Sequence, residues 1–322
     1  MLLTERRDAQ VVVLDKLTYA GNPANLRSVE ADPRYRFIHG DICDPAAVSD
    51  AIGAGVEAIV NFAAETHVDR SILEPEAFLR TDVLGTHILL EAVRERGIAK
   101  FLQVSTDEVY GDVSEGESRE GDPLRPRSPY AASKAGGDLQ VLAYWTTYRT
   151  PVLITRGSNT YGPHQYPEKI IPLFVTNLID DQPVPLYGDG MQIRDWLHVD
   201  DHTRGILNVL EHGSLGEIYN IGGGNPRRNI DLTKLLLDLC KRGFGTHVRH
   251  VADRAGHDRR YAVDTSKTRA LGWAPRHDFQ SGLAETVAWY TQNEAWWRPI
   301  KSGEFVEFYR RQYAERELEV KA

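Results

Sequence analysis

Cysteine is scarce in this 322-residue chain: Cys43 and Cys240 are the only two, far apart and outside any C-x-x-C pair. That argues against a disulfide framework and a thiolate zinc site, and both read as free structural thiols. Long apolar runs are missing too. No stretch approaches the roughly 20 uninterrupted apolar residues of a membrane span, and "MLLTERRDAQ" is too charged and too short for a secretory signal. No membrane partner is expected, and the cytoplasm is the expected compartment. A basic block is also absent: 38 Lys and Arg are scattered among 46 Asp and Glu, for a net charge of −8. A nucleic-acid face therefore has no support, and an anionic ligand would have to find local cations. The remaining histidines lack metal-ligand spacing, so no metal is expected.

What is present begins with "QVVVLDKLTYAGN", residues 10–22. An apolar run, Val11 to Leu14, ends in Asp15 and passes at once into turn residues. A buried parallel strand reaches a ligand-binding edge in this way, with the acidic residue placed to take the ribose hydroxyls of an adenine dinucleotide. Such an Asp normally follows a first strand and a glycine-rich turn about twenty residues upstream. Only nine residues precede Gln10.

Downstream, "RFIHGD", "AIVNFA", "FLQVST" and "PVLITRG" read as further strands, alternating with longer amphipathic segments. "DPAAVSDAIGAG" opens a helix with an Asp44 cap and Pro45 in its first turn, then dissolves at Gly53 and Gly55. In "EAFLRTDVLGTHILLEAVRERG", Leu79, Val83, Leu90 and Val93 fall on one narrow helical face, and Gly97 ends the run. This alternation predicts an α/β fold, a Rossmann-like doubly wound parallel sheet with ligands at the carboxyl ends of its strands. After Gly157 the texture turns to loops punctuated by Pro and Gly. We expect residues 1–156 to form a dinucleotide-binding Rossmann-like domain, N-terminally incomplete. Residues 157–322 would form mainly a smaller substrate-facing lobe, interleaved with the first. The tail "FYRRQYAERELEVKA" reads as a charged terminal helix that frays.

Two patterns carry chemistry. "FLQVS" runs into "TDEVYG", which sets Thr106, Asp107 and Glu108 at a strand's carboxyl end. In "SPYAASKAGGD", Tyr130 and Lys134 are four apart and share a helical face. A fixed ammonium favours the phenolate, so Lys134 is expected to lower the Tyr130 pKa and make it a general base.

The motifs "DKLTYAGN", "GDICD", "FAAETHVDRS", "STDEVYG", "SPYAASKA", "YGPHQYPEKIIP", "YGDGMQIRDWLHVDDH", "YNIGGGN" and "DRAGHDRRYAVD" resemble, in order and spacing, the nucleoside-diphosphate-glucose 4,6-dehydratases, which are extended short-chain dehydrogenases. The resemblance runs from Val11 to about Trp297. It implies a redox-neutral lyase reaction of deoxysugar biosynthesis with NAD as cofactor and a nucleotide sugar, dTDP-glucose above all, as substrate. Carried over residue by residue, Tyr130 takes the proton of the sugar 4-hydroxyl, supported by Lys134, while Thr106 bonds the same oxygen. Glu108 removes the C5 proton, and Asp107 protonates the departing 6-hydroxyl. Adjacent, differently tuned carboxyls suit an elimination that needs an acid and a base at once. Asp15, Lys16, Thr18, Asp41, Ile42, Phe62, Ala63, Ala64 and Thr81 would line the cofactor with Tyr130 and Lys134, Asp41 and Ile42 bracketing the adenine. Thr66, where the family more often has Ser, would lie with Thr106 along the sugar cleft. Arg194, Asn229, Arg254 and His257 would meet the diphosphate and nucleotide, with Asn159, Lys169 and Tyr187 nearer the sugar and base.

Family members begin with a strand and a "TGGAGFIGS"-like turn that holds the NAD pyrophosphate. Neither is among these residues. We expect a sequence that starts part-way along a longer one, and the alternative is a truncated, cofactor-poor chain. A UDP-sugar 4,6-dehydratase or epimerase on the same scaffold, and a non-catalytic sugar-nucleotide-binding module, are the competing functions. The Asp107-Glu108 pair argues against an epimerase. The family also implies a homodimer, built by the helices of Glu76–Gly97 and Ser128–Arg149, with Leu89 and Tyr144 available to the partner.

Overall fold

The computed structural model describes residues 1–53 and 55–321; within its C-terminal helix the side chains of 304, 314, 315 and 317–321 lie outside the description. Apolar runs bounded by turn residues become strands as expected: β1 (Val11–Asp15), β2 (Tyr35–His39), β3 (Ala58–Asn61), β4 (Lys100–Thr106) and β5 (Val152–Gly157). They are followed by β6 (Asn159–Tyr161), β7 (Val184–Tyr187), β8 (Ile193–His198), β9 (Ile218–Ile221), β10 (Pro226–Arg228) and β11 (Val248–Val251). β1 pairs with β2 in parallel, while β3, β4, β5 and β9 form a parallel sheet in that order. The second half of the chain thus returns β9 to a sheet begun by the first. Elsewhere β8 lies between β6, parallel, and β10, antiparallel, and β11 pairs with β7.

One strand departs from the sequence pattern. β1 is not buried: Val12 is 38% exposed, and Val11, Val13 and Leu14 are half-buried. Among the described residues its ladder is to β2 alone. Its apolar composition therefore exceeds its burial.

The helix Pro45–Ile52 is capped by Asp44, whose Oδ1 accepts from the Ala46 amide at 2.9 Å, with Pro45 in its first turn. The next long run is not one regular helix. Pro75–Phe78 and Thr86–Arg96 are α-helical, but Leu79–Gly85 between them is a π-helical turn. The wider turn slips the apolar register, so Leu90 and Val93 enter the core while Leu79 is 57% exposed. Gly97 closes the run in the left-handed conformation, φ 65°. Leu89 and Tyr144, expected at a partner's surface, are buried within the chain, and Tyr144 Oη donates to Glu91 Oε1 at 2.6 Å. The exposed apolar side chains of these segments are instead Leu79, Leu84, Leu139 and Tyr148.

Two large apolar clusters hold the molecule. Ile42, Val48, Leu90, Val93, Phe101, Val141 and Ile154 pack around the sheet of the first half. Ile171, Phe174, Trp196, Leu236, Phe279, Tyr290 and Trp297 build the second, to which Phe305 and Tyr313 of the C-terminal helix (Glu304–Lys321) belong. That helix is docked rather than frayed over its described side chains, because the charged tail carries Phe308, Gln312 and Tyr313 on its buried face.

Candidate active site

The strands are parallel within each ladder, so β1 and β2 present their carboxyl ends together, as do β3 and β4. At the end of β4, Thr106 caps the short turn Asp107–Tyr110, its Oγ1 accepting from the Glu108 amide at 3.2 Å. Gly111 ends that turn at φ 78°, where a Cβ would stand 2.2 Å from the Arg125 carbonyl, so only glycine fits. The helix Pro129–Tyr148 is capped by Ser128 and offers Tyr130 and Lys134 in its first turns. The Tyr130 phenol lies beside Thr106, whose influence lowers its pKa against the effect of burial. Thr106, Asp107, Glu108, Tyr130 and Lys134 are thus gathered at one strand end and one helix start.

Asp107 is 3% exposed; Thr106 Oγ1 donates to its Oδ1 at 3.3 Å, and its Oδ2 is buried with no partner among the described residues. Burial first, then the Glu108 charge, push its pKa well above the ordinary carboxyl range, against the pull of Arg194. A carboxyl so placed holds its proton to higher pH than an ordinary aspartate does. Glu108 is half-buried, and the Tyr261 hydroxyl, which donates to Asp258 Oδ2 at 2.6 Å, stands 3.4 Å from its Oε2.

Tyr130 corrects the sequence expectation. Its pKa lies well above the ordinary value, through burial first and then the charges of Glu108 and Asp82. Lys134 Nζ donates to the Val104 carbonyl at 2.9 Å.

The cofactor candidates fall into two groups. Asp15 Oδ1 accepts from the Leu17 amide at 2.7 Å, leaving Oδ2 without a partner among the described residues, as a ribose hydroxyl would require. Lys16 pairs with Asp41 at 2.8 Å; burial raises the Asp41 pKa, but Lys16 and the Cys43 amide hold it below the ordinary value. Thr18 is exposed beside them, while the Ile42 side chain is in the core against Gly85. Phe62, Ala63 and Ala64 follow β3, and Phe62 is 60% exposed. Thr81 sits half-buried in the π-helical turn, which packs against the Tyr130 helix. Acidic and hydroxyl groups at the ends of successive parallel strands fit a dinucleotide.

Cations expected for an anionic ligand lie across the cleft. Arg194 is buried over the Tyr261 ring at 4.2 Å, donating from Nη1 to the Ile193 carbonyl at 2.8 Å and from Nη2 to the Asp258 carbonyl at 2.9 Å. Part of its fork is therefore spent on orienting it. Asn229 Oδ1 and Arg254 Nε are buried without partners among the described residues, and so is Asn159 Oδ1 at the start of β6. His257 stands beside Tyr187, ring centroids 6.1 Å apart, with Nδ1 2.6 Å from Asp253 Oδ1. Burial, then Arg254 and Arg194, lower its pKa to about 3, so it faces the cleft as a neutral imidazole. Lys169 donates to the Thr66 carbonyl, and burial lowers its pKa despite Glu168 and Glu108. Thr66 itself is exposed.

Several groups escaped sequence reasoning. Glu168 takes Arg70 Nε and the Tyr19 hydroxyl, each at 3.1 Å, and Arg70 lies 3.6 Å over the Tyr19 ring. Asp82 is fully buried and accepts the Ser133 hydroxyl at 2.6 Å. Tyr19, Arg70 and Glu168 stood inside quoted motifs, but nothing in their spacing joined them.

Known proteins are similar to this chain in sequence and in fold. The family model described as GDP-mannose 4,6 dehydratase matches residues 1–286. The dTDP-glucose 4,6-dehydratase of Streptomyces griseus is 53% identical over 294 residues, covering 91% of this chain and 89% of that protein. The crystal structure of DesIV, the dTDP-glucose 4,6-dehydratase of Streptomyces venezuelae with NAD bound, superimposes with a TM-score of 0.89 at 54% identity, over 91% of this chain and 90% of that one. A Thermus thermophilus UDP-glucose 4-epimerase in complex with NAD gives a TM-score of 0.83 at 30% identity, over 91% and 94%.

Proposed function

The chain belongs to the GDP-mannose 4,6-dehydratase family, and on that premise we propose that its reaction is the NAD-dependent dehydration of dTDP-glucose to dTDP-4-keto-6-deoxy-glucose. Relatives at 51–54% identity carry out this lyase reaction, and NAD and dTDP-sugar ligands are bound in their structures. NAD, held by the residues at the ends of β1 to β3, would supply a hydride acceptor and then a hydride donor, so the reaction would consume no external oxidant. Tyr130 takes the 4-hydroxyl proton while Thr106 holds the same oxygen. The 4-ketone makes the C5 proton acidic, and Glu108 removes it. Asp107 gives its proton to the 6-hydroxyl, the C6–O bond breaks, and water leaves; a proton returns to C5 as hydride reaches C6. The observation that carries this reading is the unlike environment of two adjacent carboxyls: Asp107 is sealed from water with its pKa pushed up by burial, and Glu108 is half-buried. A 4-epimerase has no use for that pair.

Arg194, Arg254, Asn229 and His257 take the diphosphate side, and Tyr187, Lys169, Asn159 and Thr66 the base and sugar. Arg194→Ala is expected to weaken dTDP and dTDP-glucose alike, by roughly 10- to 150-fold, because the lost contact is a charged hydrogen bond to phosphate. Calorimetric titration with dTDP tests it, and unchanged affinity removes Arg194 from the site.

Residues 1–156 carry the cofactor side and 157–322 mainly the sugar-nucleotide side, interleaved through β9. The four exposed apolar residues Leu79, Leu84, Leu139 and Tyr148 support a homodimer through the two long helical segments. Sedimentation at micromolar concentration is expected to show the dimer, and a purely monomeric profile would count against it. No described helix is long and apolar enough to cross a membrane, and the cytoplasm is the proposed compartment.

A further inference from the structure

The C-terminal helix touches both walls of the cleft. Phe308 packs edge-on to His67, centroids 5.7 Å apart, and beneath the Arg70 guanidinium at 3.9 Å. One turn on, Gln312 Nε2 donates to the Tyr187 hydroxyl at 2.7 Å. Arg316 then reaches both sides: Nη2 donates to Asp69 Oδ1 at 2.7 Å, and Nη1 donates to the Ala252 carbonyl at 3.4 Å. Its guanidinium lies 4.8 Å over the Tyr187 ring.

Asp69 is the pivot. It is 4% exposed and has two cations within reach, Arg316 in a hydrogen bond and Arg254 Nη1 at 3.8 Å from Oδ2, an ion pair without a hydrogen bond. Arg254 meanwhile keeps Nε buried and unpartnered among the described residues. A carboxylate withdrawn from water demands a close, hydrogen-bonded cation. Were Arg316 absent, the nearest remaining one would be Arg254.

We propose that Arg316 is a positioning residue for nucleotide binding: by occupying Asp69 it leaves the Arg254 guanidinium free for a nucleoside diphosphate, and the C-terminal helix is the strap that delivers it. This deepens the assignment of Arg254 to the diphosphate and rests on it. Without Arg316, Asp69 draws Arg254 into a full ion pair, which neutralises the cation and turns it from the ligand. The expected signature has a sign that lost packing cannot imitate, because removing the Asp69 charge as well should restore binding.

The test is calorimetric titration of dTDP into the full chain and its variants, with steady-state kinetics on dTDP-glucose. Arg254→Ala and Arg316→Ala are each expected to weaken dTDP by about tenfold or more, and Arg316→Lys to retain most of the affinity. In the double variant Asp69→Asn with Arg316→Ala, affinity should return to within about twofold of the parent, since the uncharged amide no longer competes for Arg254. The Arg316→Ala loss should fall on KM rather than kcat. Parental affinity in Arg316→Ala, or a double variant as weak as Arg316→Ala, overturns the proposal while leaving the diphosphate assignment intact. Parental affinity in Arg254→Ala overturns that assignment, and the proposal with it.

Discussion

Glu108→Gln is expected to yield an enzyme that oxidises the sugar and then stops. Tyr130, Thr106 and Lys134 are untouched by the change, so the 4-hydroxyl can still be deprotonated and hydride removed from C4. The C5 proton then has no base. Gln keeps the length of Glu and an oxygen for the Tyr261 hydroxyl, which stands 3.4 Å from Glu108 Oε2, so the local structure should hold. Product formation should fall by roughly 10²- to 10⁴-fold, the usual contribution of a positioned base. Reduced-nicotinamide absorbance should accumulate at the same time, a combination that separates the two half-reactions. Tyr130→Phe, in contrast, should show neither reduced cofactor nor product. Parental turnover in Glu108→Gln would mean that another group takes the C5 proton.

Much of this was legible in the sequence because it depends on short-range pattern. Strand ends followed from apolar runs broken by turn residues, and the acidic pair at 107–108 followed from its place just after "FLQVST". A single helix face shared by Tyr130 and Lys134 follows from spacing four. What failed depends on three-dimensional surroundings. The π-helical turn at Leu79–Gly85 has no periodicity signal of its own, and it exposed Leu79 although the pattern placed it in the core. Leu89 and Tyr144 read as spare apolar surface, yet neighbouring elements cover them. The Tyr130 pKa was argued from one lysine, while the fold surrounds the phenol with Glu108, Asp82 and Asp107. Arg254, Asp69 and Arg316 come from three distant stretches, so only the fold could join them.

Asp107→Asn probes the other half of the elimination, and burial makes its outcome readable in two independent ways. The folded protein holds the Asp107 pKa well above its ordinary 3.8, through burial and the Glu108 charge. In the unfolded chain the carboxyl ionises near its ordinary value, so as pH rises above that value the unfolded state gains a favourable ionisation that the folded state resists. Folding stability contributed by this group is therefore highest in acid and declines until the pH passes the folded pKa. Asn carries no such proton, and it keeps an oxygen for the Thr106 hydroxyl that now donates to Asp107 Oδ1 at 3.3 Å. The variant is expected to melt no lower than the parent at neutral pH, with the difference in its favour growing as pH is raised from the acid range. Its activity should nevertheless fall by roughly 10²- to 10⁴-fold, since no acid remains to protonate the leaving 6-hydroxyl. The parent should lose kcat on the alkaline side, as pH passes the folded pKa and the acid form disappears, and the residual rate of the variant should lack that limb. Thermal melts across pH and a kcat profile for both proteins test the two effects separately. A variant with parental kcat removes Asp107 as the acid, whereas a stable charged Asp107 would show itself as a variant that melts several degrees lower at neutral pH.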